Sequence, residues 1–369
     1  MKKAPIITAF TLLLAVTACK KSTTTSSSFN SLSASTGTLS ASSTKHEHSG
    51  GDWEQVNLVA DVGGFGHARV DPNLSNAWGI AYSPNGAIWV ASNHTGLADI
   101  YNANGTQAAP PVSIPLNNSP NGASPDGIVY NYTSGFVIPS NHQKSKFIFA
   151  TEDGIISAWS SGNSAITVAD RSLSGAVYKG LALASNGAGN YIYATNFSAG
   201  TIDVFDQSFH YVHMGFADPT MPVGYAPFNI QLMDGKLFVT YAKQKPDHHD
   251  DMAGPGNGYI NIFKTDGTLV RRFASQGTLN SPWGLTQIAI SGNENILVGN
   301  FGDGRINIYD TNGSFLGQLM DEPGPVTIDG LWAISFAPES VPGQDGKRIY
   351  FTAGPNEESD GLFGYLKKK

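Results

Sequence analysis

The stretch 280–315, NSPWGLTQIAISGNENILVGNFGDGRINIYDTNGSF, contains three apolar runs separated by clusters of glycine, asparagine, aspartate and serine. Along 305–310 the side chains alternate with the period of two residues that is typical of a β-strand. Glycine and aspartate at 302–304 tolerate the backbone angles of a tight turn. With a short outer strand at 314–320, the stretch predicts one complete blade of a β-propeller.

The same pattern recurs along the chain. Six strand starts align on Trp283-Gly284-Leu285, spaced 46 to 55 residues apart. A repeat of about 50 residues is typical of radial or solenoidal architectures. The first residues of the six starts are Trp78, Asp126, Lys179, Phe228, Trp283 and Asp329.

The two ends of the domain complete each other. The chain ends just after the third strand of the sixth repeat, and a strand is predicted at 55–62, before the first repeat. As the missing fourth strand, it closes the ring and removes an exposed sheet edge. We therefore predict an all-β fold, a six-bladed β-propeller over residues 53–369 whose N-terminal strand completes the last blade.

Composition narrows the range of functions. The 369 residues carry a net charge of -7, and no basic stripe is present, so we expect no nucleic-acid partner. Cys19 is the single cysteine, so no intrachain disulfide can form. The short motifs of serine hydrolases, nucleotide hydrolases and zinc proteases are absent from the sequence.

Residues 1–18 are predicted to be an export signal, since two lysines precede an apolar run that is short for a membrane span. The run ends in VTAC (16–19), which resembles the bacterial lipobox. On that resemblance Cys19 is lipidated, and Lys20 after it implies the outer membrane of a bacterial cell envelope. The alternative is an ordinary secretory signal with an incidental cysteine. The Ser/Thr-rich segment 19–52 is expected to be a disordered tether.

The repeats resemble those of NHL-type propellers, and the whole domain resembles a family of exported bacterial six-bladed propellers. The resemblance implies the fold and export, and it assigns no reaction. Among the matching segments are TGLADIYNANG (95–105), KFIFATEDGIISAW (146–159), VGNFGDGRINIYD (298–310), DGLWAISF (329–336) and FTAGPNEESDGLFG (351–364).

The mouth of the central channel is the default ligand site of a propeller. Besides the strand starts, a second ring of residues is expected to line it, the residues after the second strands: Asn93, Glu152, Asn196, Lys243, Asn300 and Asn356. Carboxylate and amide oxygens around one axis suit Ca²⁺. The candidate metal ligands are Glu152, Asn196, Asn300 and Asp126.

This metal set is similar in residue type to the Glu/Asn/Asn/Asp calcium site of SMP-30/gluconolactonase propellers. On that likeness calcium is the candidate cofactor, and Asp329 is the candidate general base. The alternative is that these residues cap turns and strand ends, as aspartate and asparagine commonly do.

The other candidate ligand-binding residues also have two interpretations. Lys179 and Lys243 either hold an anionic ligand or pair with carboxylates, and Asn93 belongs to the same ring. Trp78 and Trp283 either stack on a flat ligand or pack between the sheets. The insertion at 243–258 carries DHHDD (247–251), which is either a zinc or copper site or a mobile acidic loop.

Two functions are therefore predicted. In the first, the chain is a cell-envelope lipoprotein whose propeller is a binding or scaffold module for a protein, peptide or glycan. It would be a monomer that touches the membrane only through its lipid. In the alternative, it is a metal-dependent hydrolase or lyase of the calcium type, acting on a small molecule in the central channel.

Overall fold

The computed structural model describes residues 52–116, 122–290, 292–322, 324–337, 341–343 and 346–369. The predicted signal peptide, Cys19 and the tether up to residue 51 lie outside these residues. None of the helices in the described part of the chain has the length and apolarity needed to cross a bilayer.

Six antiparallel sheets form the blades of a propeller, which confirms the predicted fold. The strands of blade one are Ala77–Tyr82, Ile88–Ser92, Leu97–Tyr101 and Gln107–Ser113. The strands of blade two are Pro125–Tyr130, Phe147–Thr151, Ile155–Trp159 and Ile166–Asp170. The strands of blade three are Tyr178–Ser185, Asn190–Asn196, Thr201–Asp206 and Tyr211–Val212. The strands of blade four are Tyr225–Met233, Lys236–Lys243, Gly258–Lys264 and Leu269–Ser275. The strands of blade five are Pro282–Ile290, Asn293–Asn300, Ile306–Asp310 and Phe315–Gln318. Blade six contains Leu331–Phe336, Arg348–Ala353 and Leu362–Lys368.

The N-terminal strand Trp53–Ala60 closes the ring, as predicted. It pairs antiparallel with Leu362–Lys368, from Trp53 opposite Lys368 to Ala60 opposite Leu362. The short strand Arg69–Val70 adds to its outer edge in parallel. The remaining regular elements are the pair Met320–Asp321 and Gly324–Pro325 and the 3-10 turns Asn93–Thr95 and Ser172–Ser174.

Glycine recurs at the strand starts because the blades approach each other closely there. A Cβ atom added at Gly79 would lie 2.3 Å from the carbonyl oxygen of Asp126 in the next blade. At Gly127 it would lie 2.6 Å from the backbone nitrogen of Leu181. These positions admit no larger residue without moving a neighbouring blade.

The first strand of blade six begins later than the sequence predicts. Leu331 pairs with Ala353, as Pro282 pairs with Asn300 in blade five, so Trp332 and not Asp329 corresponds to Trp283. The prediction aligned Gly330 with the strand glycines, but Gly330 lies in a turn with φ of 62°. Trp332 is therefore the residue that faces the channel.

The ring of residues that follow the second strands also differs from the predicted ring, by one or two positions in four blades. In each blade one residue there donates its backbone N–H to the segment just before the first strand; these residues are Asn93, Glu152, Phe197, Gln244, Phe301 and Gly354. The sequence prediction has Asn93 and Glu152 in place, but it takes Asn196, Lys243 and Asn300 one residue too early and Asn356 two too late. A shift of one residue in extended backbone turns a side chain to the opposite side.

Candidate functional site

Aromatic side chains fill the central channel. Trp78 stacks on Trp332 with ring centroids 3.3 Å apart, and Phe301 stacks on the other face of Trp332 at 3.9 Å. The edge of Trp283 packs on Trp78 at 5.7 Å, and Phe228 joins the same buried cluster. We call these five residues the aromatic plug. Trp78 and Trp283 thus pack between the blades, the alternative that the sequence left open.

A buried polar cluster lies at the plug, formed by Asn93, Asp126, Glu152 and Lys179. The side-chain amide of Asn93 donates to Asp126 Oδ1 at 2.6 Å and to Glu152 Oε2 at 2.9 Å. The ammonium of Lys179 donates to Glu152 Oε1 and lies 5.2 Å from the centre of the Trp78 ring. Among the described residues, Asp126 Oδ2 and Trp78 Nε1 are buried without a hydrogen-bond partner. Blades one, two and three each contribute to this cluster.

The two carboxyls of this cluster are driven toward opposite protonation states. Burial, together with the charge of Glu152, raises the pKa of Asp126 well above its ordinary value. Burial also acts to raise the pKa of Glu152, but the charge and hydrogen bond of Lys179 outweigh it and lower that pKa. The same carboxylate keeps the pKa of Lys179 raised despite its burial. These shifts favour the protonated form of Asp126 and the charged forms of Glu152 and Lys179.

The insertion in blade four folds over this cluster. Residues 243–252 form a hairpin, which we call the cap hairpin, because Gln244 bridges to Asp251 and Met252 donates its backbone N–H to the Lys243 carbonyl at 2.7 Å. The hairpin brings Asp250 Oδ1 to 3.9 Å from the Lys179 ammonium. Its DHHDD sequence is thus part of the channel mouth.

Glu152, His249 and Asp250 converge at the mouth. Each offers a ligand atom within 4.8 Å of those of the other two. His249 Nδ1 lies 2.8 Å from Asp250 Oδ1. The side chains of His249 and Asp250 are about half exposed, at 47% and 48%, whereas that of Lys179 is only 3% exposed. We call these three residues the mouth triad. Sequence spacing gave no signal for it, because Glu152 and His249 lie in different blades.

A strained turn supplies the third side of the mouth. Asn356, Glu357 and Glu358 have positive φ angles of 56°, 55° and 67°. Non-glycine residues in this region cost about 1–3 kcal/mol each, and such strain clusters at functional sites. The turn places Glu358 Oε2 at 2.9 Å from the side-chain nitrogen of Asn76. Burial raises the pKa of Glu358, although the hydrogen bond from Asn76 opposes this.

Asn76 links the mouth to the plug. Its side-chain nitrogen also lies 3.3 Å from Nε2 of His94, and its oxygen accepts a hydrogen bond from Trp332 Nε1 at 3.0 Å. Asp329, the predicted general base, is exposed and accepts the backbone N–H of Asn356 at 2.9 Å, so it supports the turn.

The remaining predicted residues lie away from the cluster. Asn196 donates to Asp203 Oδ2 at 3.2 Å, and Asn300 donates to the Thr278 carbonyl at 2.8 Å. Neither forms a hydrogen bond with Asp126 or Glu152 in the described part of the chain. Lys243 is half-buried at the base of the cap hairpin and forms no salt bridge with another described residue. The structure therefore brings together Glu152, Asp126, Asn93 and Lys179 from the predicted set.

Relatives of the chain are known from a giant virus. No protein-family model matches it. One uncharacterized protein of Acanthamoeba polyphaga mimivirus is 34% identical over 320 residues, which cover 82% of this chain and 77% of the viral protein. A second is 35% identical over 319 residues, covering 82% of each. The chain belongs to the family of these mimivirus proteins. Because these family members are viral, they do not support the bacterial origin that the sequence resemblance implies.

Solved structures share the propeller architecture of this mimivirus-related family. Virginiamycin B lyase from Staphylococcus aureus superposes with a TM-score of 0.51 at 15% identity, covering 86% of this chain and 99% of the lyase. A gluconolactonase from Xanthomonas campestris gives 0.50 at 14%, covering 79% and 87%. The soluble aldose sugar dehydrogenase of Escherichia coli gives 0.54 at 12%, covering 86% and 100%. At these identities the likeness shows the fold alone.

Calcium bound by Glu152 and Asp126 does not fit this arrangement. The ammonium of Lys179 already contacts Glu152 Oε1 and lies near Asp250, so a metal ion there would face a buried positive charge. The same holds for a metal on the mouth triad, because its two carboxylates, Glu152 and Asp250, both lie near this ammonium. Lys179 thus supplies the positive charge that a cation would bring. The position of Lys179 therefore argues against the calcium site that the sequence predicts.

Proposed function

We propose that the chain is an acid–base hydrolase or lyase that acts on a small polar molecule at the channel mouth. The observation that carries this proposal is the mouth triad, in which a carboxylate from blade two meets a histidine–aspartate pair from the cap hairpin within 4.8 Å. A carboxylate and a histidine that reach the same point can serve as the base and the acid of one reaction.

The triad residues have distinct roles in this proposal. Glu152, kept ionised by Lys179, takes the proton from an attacking water or from a carbon next to a carbonyl. His249, oriented by Asp250, donates a proton to the leaving oxygen. Asn93, which also donates to Asp126, holds the Glu152 carboxylate in place.

The charge of the mouth selects the substrate. Lys179 is buried and paired with Glu152, so it is not free to hold an anionic ligand. The accessible groups at the mouth include the carboxylate of Asp250, and the Glu358 carboxyl lies close enough to interact with it electrostatically. A neutral or cationic molecule is therefore favoured over an anion. The fold is shared with a gluconolactonase and a lyase, which makes neutral lactones and esters the first compounds to test.

The test is turnover of a lactone and ester panel by residues 53–369. We expect Glu152→Gln and His249→Gln each to lower kcat/KM by at least about 100-fold, since each removes one proton-transfer partner. Because the pKa of Glu152 is lowered from 4.5, kcat/KM should fall only as the pH drops below that value, where the base becomes protonated.

Two control variants accompany this test. His210 forms a similar exposed pair with Asp206 at 3.6 Å on the outer part of blade three, so His210→Gln should leave kcat/KM unchanged. The second control, Asp329→Asn, tests whether turnover depends on the general base predicted from the sequence and not on the mouth triad. Turnover that survives both triad substitutions but is lost in Asp329→Asn would refute the proposed roles.

The envelope location, the lipid on Cys19 and the binding or scaffold role remain proposals from the sequence. The signal peptide, Cys19 and the tether, on which these proposals rest, lie outside the described part of the chain. The mass of the mature N-terminal peptide tests the anchor, and an unmodified residue 19 would contradict it.

A further inference from the structure

A second cavity opens at the other end of the strands, between blades one and two. It measures about 900 Å³. Its floor is aromatic: Trp89 stacks on Phe147 with centroids 4.0 Å apart, and Trp159 leans on Trp89 at 4.8 Å. The turn at 83–87 forms part of the rim. That turn joins the first and second strands of blade one, whereas the mouth residues follow the second strands, so the groove faces away from the candidate active site.

At two equivalent junctions an aromatic side chain of the chain itself is inserted between the blades. Phe136, inserted in blade two, is fully buried and packs on Phe209 of blade three at 5.3 Å. Phe216 packs between Tyr193 of blade three and Phe263 of blade four, at 5.8 and 5.3 Å. At the junction of blades one and two, Tyr130 packs on Phe147 at 5.4 Å, and the groove opens above Trp89 and Phe147, which are themselves only 4% and 2% exposed.

One charged group stands at the edge of the groove. Lys146 is exposed, and its ammonium lies 5.3 Å from the centre of the Trp159 ring. It forms no salt bridge among the described residues, in contrast to Lys179 at the mouth. The groove therefore offers an aromatic floor beside a single unpaired positive charge.

We propose that this groove binds a flat, apolar small molecule that carries one anionic group, such as an aromatic carboxylate or sulfonate. The cavity volume lies within the range of about 300–1,000 Å³ that small-molecule sites usually have. The half-buried ring of Trp159 and the lining prolines Pro110 and Pro111 contact the apolar body of the ligand above the buried Trp89, and Lys146 pairs with its anion. This site is independent of the proposed reaction at the mouth.

Two fluorescent probes test the proposal: anilinonaphthalene sulfonate, which is anionic, and phenylnaphthylamine, its uncharged analogue. We expect the wild-type domain to bind one equivalent of the sulfonate more tightly than the amine, with energy transfer from the groove tryptophans. Lys146→Met should weaken sulfonate binding about 5-fold, as expected for loss of an exposed ion pair, and leave amine binding unchanged.

A matched control and a blocking variant complete the experiment. Lys144 is an exposed neighbour that does not line the groove, so Lys144→Met should change neither affinity. Ala109 lines the groove. The substitution Ala109→Trp should lower the affinity for both probes by at least about 10-fold and leave the melting temperature unchanged. Equal loss of both probes in Lys146→Met, or undiminished binding in a folded Ala109→Trp variant, would overturn the proposal.

Discussion

Lys179→Met is expected to lower the free energy of unfolding by about 3–5 kcal/mol, because it leaves a carboxylate buried without its partner. The side chain of Lys179 is 3% exposed and that of Glu152 is 16% exposed, so solvation by water compensates for little of the lost charge. Urea unfolding of the wild-type and variant domains measures the loss. The double variant Lys179→Met/Glu152→Gln should recover most of it, since no buried charge then remains.

The same variant should create a cation site. Without the ammonium, the oxygens of Glu152 and Asp250 are left for a divalent ion, so calcium should raise the melting temperature of Lys179→Met and leave that of the wild type unchanged. The control is Lys245→Met: Lys245 lies 3.7 Å from Asp250, but both side chains are 48% exposed. Its loss should cost less than about 1 kcal/mol. An equal, small cost for both lysines would show that Lys179 is not a buried structural cation.

Trp332→Ala is expected to cost about 3–5 kcal/mol in the free energy of unfolding, since it opens a cavity at the centre of the aromatic plug. The substitution removes the stacking partners of Trp78 and Phe301 and the donor to Asn76. Trp332 is 1% exposed, so the neighbouring blades cannot collapse into the space without moving.

The matched control for the plug is Trp159→Ala. Trp159 also contacts other aromatic rings, but it is half-buried where it lines the groove. We expect less than half of the destabilisation of Trp332→Ala in the same urea titration. If the two substitutions cost the same, the plug would not be the structural centre of the ring.

The fold could be predicted from the sequence because its signals are local and repeated. Turn residues and two-residue alternation recur in every blade, and the missing last strand matches the extra strand at the N-terminus. Glycine marks the strand starts because the blades approach closely there. The same marker misled the alignment at Gly330, which is a turn glycine, and therefore hid Trp332.

The site could be predicted only in part because it depends on single-residue register and on contacts between blades. Asn93 and Glu152 were placed correctly, since each directly follows its strand. Asn196 and Asn300 are the last residues of theirs, and this difference of one position decides which way the side chain points. The position of the cap hairpin could not be predicted, because its contact with Lys179 of another blade has no signal in the local sequence.

The central claim is that Lys179 keeps Glu152 ionised beside a protonated Asp126. Difference infrared spectroscopy at neutral pH, comparing the wild-type domain with Asp126→Asn and separately with Glu152→Gln, measures the two carboxyls directly. We predict that the first difference contains the carbonyl stretch of a protonated carboxylic acid and that the second contains only carboxylate bands. Carboxylate bands for Asp126, or a protonated acid at Glu152, would contradict the account.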